Sequence, residues 1–216
     1  MAQIDLKSGA YQGSIVPATL TANRTYTLPD TDFTLGSGNT VFISKQTASS
    51  DANLQFTSGF STDYFAHVFK FDNLAPETND VDFHFYLSED SGSSYYTDKM
   101  YGVSWRAYNS GAPSGMSMVD AKSPWNAAYG VICWDIGNDA TDEYQPVGSL
   151  VIYRAQVTDN TSWRSESVFF EEGNVLAQDV CAGVTVGKPN VVNAIKFVFS
   201  SGDFAGDIRM YGVKAE

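Results

Sequence analysis

Basic side chains are scarce in this sequence. Its 13 Lys and Arg stand against 25 Asp and Glu, a formal net charge of −12. A surface of that sign repels phosphate backbones and argues against a nucleic-acid partner. Cysteine is rarer still, with only Cys133 and Cys181 in 216 residues. Neither belongs to a Cys-x-x-Cys pair and neither has a nearby histidine at metal-ligand spacing, so two buried free thiols are expected. No apolar run approaches the roughly 18 residues that a membrane span requires, so no membrane insertion is expected. The opening stretch Met1–Lys7 lacks the basic start and apolar run of a secretion signal, which implies synthesis in a cytoplasm. Also missing are a Gly-x-Ser-x-Gly elbow, a phosphate-cradling Gly-rich loop, an internal repeat and sustained helical periodicity.

What is present forms strands. The chain carries 14 Phe, 12 Tyr and 18 Gly, a combination that favours strands and turns. From Thr40 onward, turn signals recur about every ten to fifteen residues and delimit roughly ten strands. These are Val41–Ser44, Tyr64–Asp72, Asp80–Leu87, Met100–Tyr108, Ala128–Ile136, Gly148–Ala155, Ser162–Phe170, Val180–Val186, Ala194–Ser200 and Gly206–Val213. Asn73–Pro76 is expected to end the second, because Pro cannot continue a ladder. Ser114–Lys122 is read as room for a single helical turn. The last two strands flank the turn Ser200–Asp203 and read as a hairpin that closes the fold. The expected fold is all-β, a jelly-roll-like antiparallel β-sandwich over residues 40–216.

Residues 1–39 read differently. They are rich in Thr, Ser, Ala and Gly, and no alternation there is long enough for a core of its own, so an extended N-terminal arm is expected. Its apolar residues Ile4, Leu6, Ile15, Val16, Leu20, Tyr26 and Leu28 need a partner surface. Closed symmetry lets every copy bury the same patch, which predicts a homotrimer.

Candidate chemistry is sparse. His67 and His84 both fall in predicted strands and are read as separate sheet residues, with a cross-strand pair as the alternative. The acidic run Asp135–Glu143 offers oxygen ligands suited to Ca²⁺ but lacks the spacing of an EF-hand loop, and no metal or cofactor is expected. Among Asp135, Asp139, Asp142, Glu143, Glu171 and Glu172 no carboxylate pair stands out as a glycosidase would require, so enzymatic activity is not expected. Aromatic residues are the better candidates. Tyr95, Tyr96, Tyr108 and Trp125 lie at or beside predicted turns and strand ends, where a rigid scaffold presents binding groups. Flat rings there can stack on sugar faces.

Three stretches carry a family resemblance. The ending Ala194-Ile-Lys-Phe-Val-Phe-Ser-Ser-Gly-Asp followed by Gly206-Asp-Ile-Arg-Met-Tyr-Gly-Val-Lys214 resembles the closing strands of tailed-bacteriophage virion surface proteins, chiefly tail fibres. Phe71–Tyr95, with Asn73-Leu-Ala-Pro76, Asp82-Phe-His-Phe-Tyr-Leu-Ser88 and Asp90-Ser-Gly92, is similar to a segment of the same sandwiches. Arg24–Gly36 resembles the segment that leads into the distal domain of phage fibres, with Phe33 where those carry Gly. The resemblance implies a non-enzymatic structural protein on the virion surface, a tail-fibre-like component contributing to host attachment. It further implies that the arm fastens to sister subunits or other virion proteins and that a host surface glycan is a candidate ligand. A capsid-decoration or head-fibre protein is the closest alternative, and a carbohydrate-binding module a more remote one.

Overall fold

A computed structural model describes residues 4–8, 11–15, 39–109, 114–138, 146–171, 175–187 and 190–214. The chain divides into two compact units, Met1–Gly36 and Ser37–Glu216. In the first, β1 (Ile4–Ser8) and β2 (Tyr11–Ile15) pair antiparallel, with Ile4 opposite Ile15 and Leu6 opposite Gly13. Two short strands close together in sequence satisfy each other's backbone groups at little entropic cost. Val16, Leu20, Tyr26 and Leu28 lie outside the described residues.

The second unit is almost entirely antiparallel β. Its strands are β3 (Thr40–Asp51), β4 (Leu54–Phe56), β5 (Ala66–Pro76), β6 (Val81–Ser88), β7 (Met100–Asn109), β8 (Ser114–Met118), β9 (Gly130–Ile136), β10 (Val147–Tyr153), β11 (Ser162–Glu171), β12 (Val175–Thr185), β13 (Ala194–Phe199) and β14 (Phe204–Val213). The helical turn expected within Ser114–Lys122 is confined to a 3₁₀ turn at Asp120–Lys122, and β8 takes the first half of that segment.

Backbone pairing runs β3-β14-β5-β10-β11-β9-β6-β13-β4, with β12 beside β11, β7 beside β12 and β8 beside β7. The step from β11 to β9 rests on one residue pair, Glu171 opposite Ile136. The ladder therefore folds there into a large run, β8-β7-β12-β11-β10-β5-β14-β3, and a small run, β9-β6-β13-β4. Aromatic rings fill the space between them. Phe69 of β5 meets Phe56 of β4 at 5.4 Å, Phe71 of β5 meets Phe83 of β6 at 5.5 Å, and Trp163 of β11 meets Phe85 of β6 at 5.2 Å. These edge-on pairs suit the ring quadrupoles. All six are buried.

Three local expectations change. The final strands are not a hairpin: β13 pairs with β6 and β4, whereas β14 pairs with β3 and β5. The turn between them carries the chain from one run to the other, so each C-terminal strand is flanked on both sides. Pro76 does not end its strand early either. Asn73 (φ 59°) and Gly206 (φ 127°) form a bulge that shifts the register, after which Phe204 pairs with Pro76. A Cβ on Gly206 would stand 2.4 Å from the Asn73 carbonyl oxygen, so only glycine fits the bulge. The strand expected from Tyr64 begins only at Ala66, so Phe65 precedes β5 and is exposed.

Candidate functional site

Strand β6 shows how the sequence builds a surface. Val81, Phe83, Phe85 and Leu87 point into the core, so period-two alternation turns Asp82, His84 and Tyr86 to the opposite face. Across the small run, Lys196 of β13 lies opposite both Tyr86 and Gln55 of β4. Rings then line up along this face. Tyr86 stands 6.4 Å from Tyr95 and 5.7 Å from Tyr129, and Tyr129 stacks on His84 at 4.1 Å with the planes 20° apart. The Lys196 ammonium sits 4.3 Å from the Tyr95 ring centre and 4.7 Å from that of Tyr86, a pair of cation–π contacts that fixes the row. The Tyr95 hydroxyl donates to Gln55 Oε1 at 2.9 Å.

The row continues into the segment between β8 and β9. Gly102 N–H donates to the Pro124 carbonyl at 2.8 Å, Ser104 N–H to Ser123 Oγ at 3.0 Å, and the Tyr101 hydroxyl to Asn126 Oδ1 at 2.7 Å. Met100 and Ala127 exchange backbone bonds of 2.9 and 3.0 Å. This loop is thus bound to β7, and it holds Trp125 out into solvent at 83% exposure, edge-on to Tyr101 at 5.3 Å. Between the loop and β6 lies a groove of about 360 Å³ lined by Asp82, His84, Lys122, Trp125 and Tyr129.

Charge at the groove floor is tightly organised. Lys122 Nζ donates to both Asp82 oxygens, at 2.9 and 2.8 Å, and the Asp135 backbone N–H donates to Asp82 Oδ1 at 3.1 Å. Burial opposes ionisation of Asp82, but the adjacent His84 ring, Lys122 and that N–H outweigh it and hold the carboxyl down to about 2. Burial acts against the Lys122 charge as well, and the facing Asp82 and Asp135 carboxylates raise its pKa nonetheless.

Lys122 also lies 3.3 Å from Asp135, which leads to a second, buried cation. Arg106 of β7 grips Asp179 of β12 through Nε and Nη2, at 2.6 and 2.8 Å, and donates from Nη1 to Glu171 at 2.6 Å. Its Nη1 reaches Asp135 at 3.4 Å, Nη2 donates to the Trp134 carbonyl, and the guanidinium lies 4.3 Å from the Trp134 ring centre. These contacts tie β7, β9, β11 and β12 together where the two runs meet. Burial pushes the Asp179 carboxyl up to about 6 even against the Arg106 cation and the Trp134 N–H.

Of the four aromatic candidates, Tyr95 and Trp125 belong to the face with the groove. Tyr96 does not present a ring to solvent: it is buried, and its hydroxyl donates to Glu89 at 2.6 Å beside a polar pocket of about 440 Å³. Tyr108 is half-buried on β7, opposite Ala177 and Gly115, and lines a different depression with Val168 and Leu176. The structure adds Tyr86 and Tyr129, which strict alternation along β6 and ring contact across the sheet bring into place. No family model matches this chain, and no curated protein or solved structure matches it.

The remaining candidates resolve simply. His67 and His84 sit on strands of different runs and form no cross-strand pair; burial pushes the His67 imidazole down to about 4. Cys133 and Cys181 are buried free thiols, and burial pushes the latter up to about 12. Asp135 is engaged by Arg106 and Lys122, whereas Asp139, Asp142 and Glu143 lie outside the described residues. Among the described residues no group of three or more His, Cys, Asp or Glu side chains is placed to hold a metal ion.

Proposed function

We propose that this protein is a non-enzymatic structural component of a tailed-phage virion, tail-fibre-like, displayed on the particle and contributing to host attachment. The observation that carries the reading is the row Tyr95, Tyr86, Tyr129, continued by Trp125, on the outer face of the small run. Rings on a rigid sheet, interspersed with Gln55, Lys196, Asp82 and Lys122, match what a glycan offers: apolar sugar faces and a rim of hydroxyls. The three stretches that resemble phage surface proteins supply the virion setting.

Purified protein should bind host cells, and the bound fraction should fall when surface glycans are stripped. Binding to emptied capsids, with none to cells, would replace this reading with capsid decoration.

Self-association is part of the proposal, because Ile4, Leu6 and Ile15 fall in a two-stranded hairpin too small for a core. Light scattering should give about three times the 23.5 kDa chain mass for the full protein, and the monomer mass when it begins at Thr40. A monomeric full-length protein at micromolar concentration would remove the trimer from the account.

A further inference from the structure

The groove beside Trp125 holds more than an exposed ring. Its about 360 Å³ suits a small ligand, and its two aromatic walls are fixed independently. Trp125 is set by the loop bonds to β7, and Tyr129 by the His84 ring stacked beneath it at 4.1 Å. The floor contains a polar atom with no partner at hydrogen-bond distance. The His84 side chain is 8% exposed, and its Nε2 makes no hydrogen bond within the protein, standing 3.7 Å from Asp82 Oδ2. Buried polar atoms are nearly always paired, so an unpaired one in the wall of a groove points to a group supplied by a bound molecule.

Charge narrows the class. Asp82 lines the groove with Lys122 as its paired cation, on a chain of net charge −12. An acidic sugar would bring its carboxylate against Asp82 on an already acidic chain, and a cationic sugar would have to compete with Lys122 for Asp82. We infer that the groove is a subsite for a neutral pyranose, held between Trp125 and Tyr129, with its hydroxyls meeting Asp82, Lys122 and the His84 nitrogen. The inference rests on the attachment reading and gives it a ligand class.

The test uses the full chain and a panel of glycans ending in glucose, galactose, mannose or N-acetylglucosamine, beside others ending in sialic or glucuronic acid. Saturation-transfer NMR and calorimetry should find a neutral glycan that binds and acidic ones that do not. Trp125→Ala should weaken binding by at least roughly tenfold, and Trp125→Phe by no more than about threefold, since stacking needs a ring rather than an indole. His84→Phe keeps the ring beneath Tyr129 and removes the nitrogen. It should also weaken binding about tenfold in a protein that still unfolds cooperatively, an effect that a purely structural role would not give. Failure of every neutral glycan to bind, preference for the acidic ones, or wild-type affinity in Trp125→Ala and His84→Phe would overturn the inference. Cell binding unaltered in both variants would reject the groove and keep the attachment reading. Sugar binding in the groove without cell binding would do the reverse.

Discussion

Replacing Arg106 with Met should lower the unfolding free energy by about 3–5 kcal/mol at neutral pH, because it strands a buried carboxylate. Asp179 has no exposed surface, and its partners are Arg106 and the Trp134 backbone N–H. Met preserves apolar contact with Trp134 while removing the charge. The pH dependence separates this cause from simple loss of packing. The folded Asp179 carboxyl already sits at about 6, above its ordinary 3.8. A raised acid is held protonated more readily in the folded chain, so its contribution to stability is complete below 3.8 and declines as pH rises through about 6. Without Arg106 that carboxyl rises further. Urea unfolding should therefore show the full loss near pH 7 and a clearly smaller one near pH 5. A loss of equal size at both would mean that the cation serves only as filler. Asp82 titrates in the opposite sense: its folded pKa of about 2 gives stability that is present above 3.8 and is lost as pH falls from there to about 2. The two windows do not overlap.

Deleting residues 208–216 should leave no soluble folded protein. The deletion removes most of β14, which lies between β3 and β5, and so opens two unpaired edges inside the large run at once. Single substitutions grade the same point. Phe197 is fully buried and touches Phe56, Phe69 and Phe83, so Phe197→Ala should cost about 3–5 kcal/mol. Tyr211 is half-exposed, edge-on to Phe42 at 5.6 Å with Lys70 at 5.5 Å, and its loss should cost about 1 kcal/mol. Thermal unfolding followed by circular dichroism distinguishes these cases. A shortened chain that melts like the full one would show that β14 is dispensable and would break the fold argument.

Much of this architecture was legible in the sequence because a half-buried strand writes its burial into every second residue. Phe69 and Phe71 in β5, Phe83 and Phe85 in β6, and Phe197 and Phe199 in β13 all declare their inward face by alternation, and all six are buried. Pairing partners were not legible. The Ser200–Asp203 turn looks like a hairpin turn, but whether flanking strands pair or separate depends on their distant neighbours, β6 and β4 against β3 and β5. Strand β4, three residues long, and β8, almost wholly exposed, lack enough alternation to be seen.

The candidate site was half legible. Trp125 and Tyr95 stand out as aromatics among turn residues, whereas Tyr96, next in sequence, turns inward to Glu89. Tyr86 was readable from the β6 pattern, but its meeting with Tyr129 required the tertiary fold. Arg106 gave no signal at all, since its partners Asp135, Glu171 and Asp179 lie 29, 65 and 73 residues away.

The central claim is that the ring-bearing face of the small run is the attachment surface. Host-cell binding of the protein with Tyr86, Tyr129 and Trp125 all replaced by Ala tests it most directly, beside a control with the exposed Phe42 of β3 and Phe65, just before β5, replaced by Ser. The account predicts that the triple variant loses binding by at least roughly tenfold while remaining folded, and that the control binds like the unaltered protein. Full binding by the triple variant, or loss confined to the control, would contradict it.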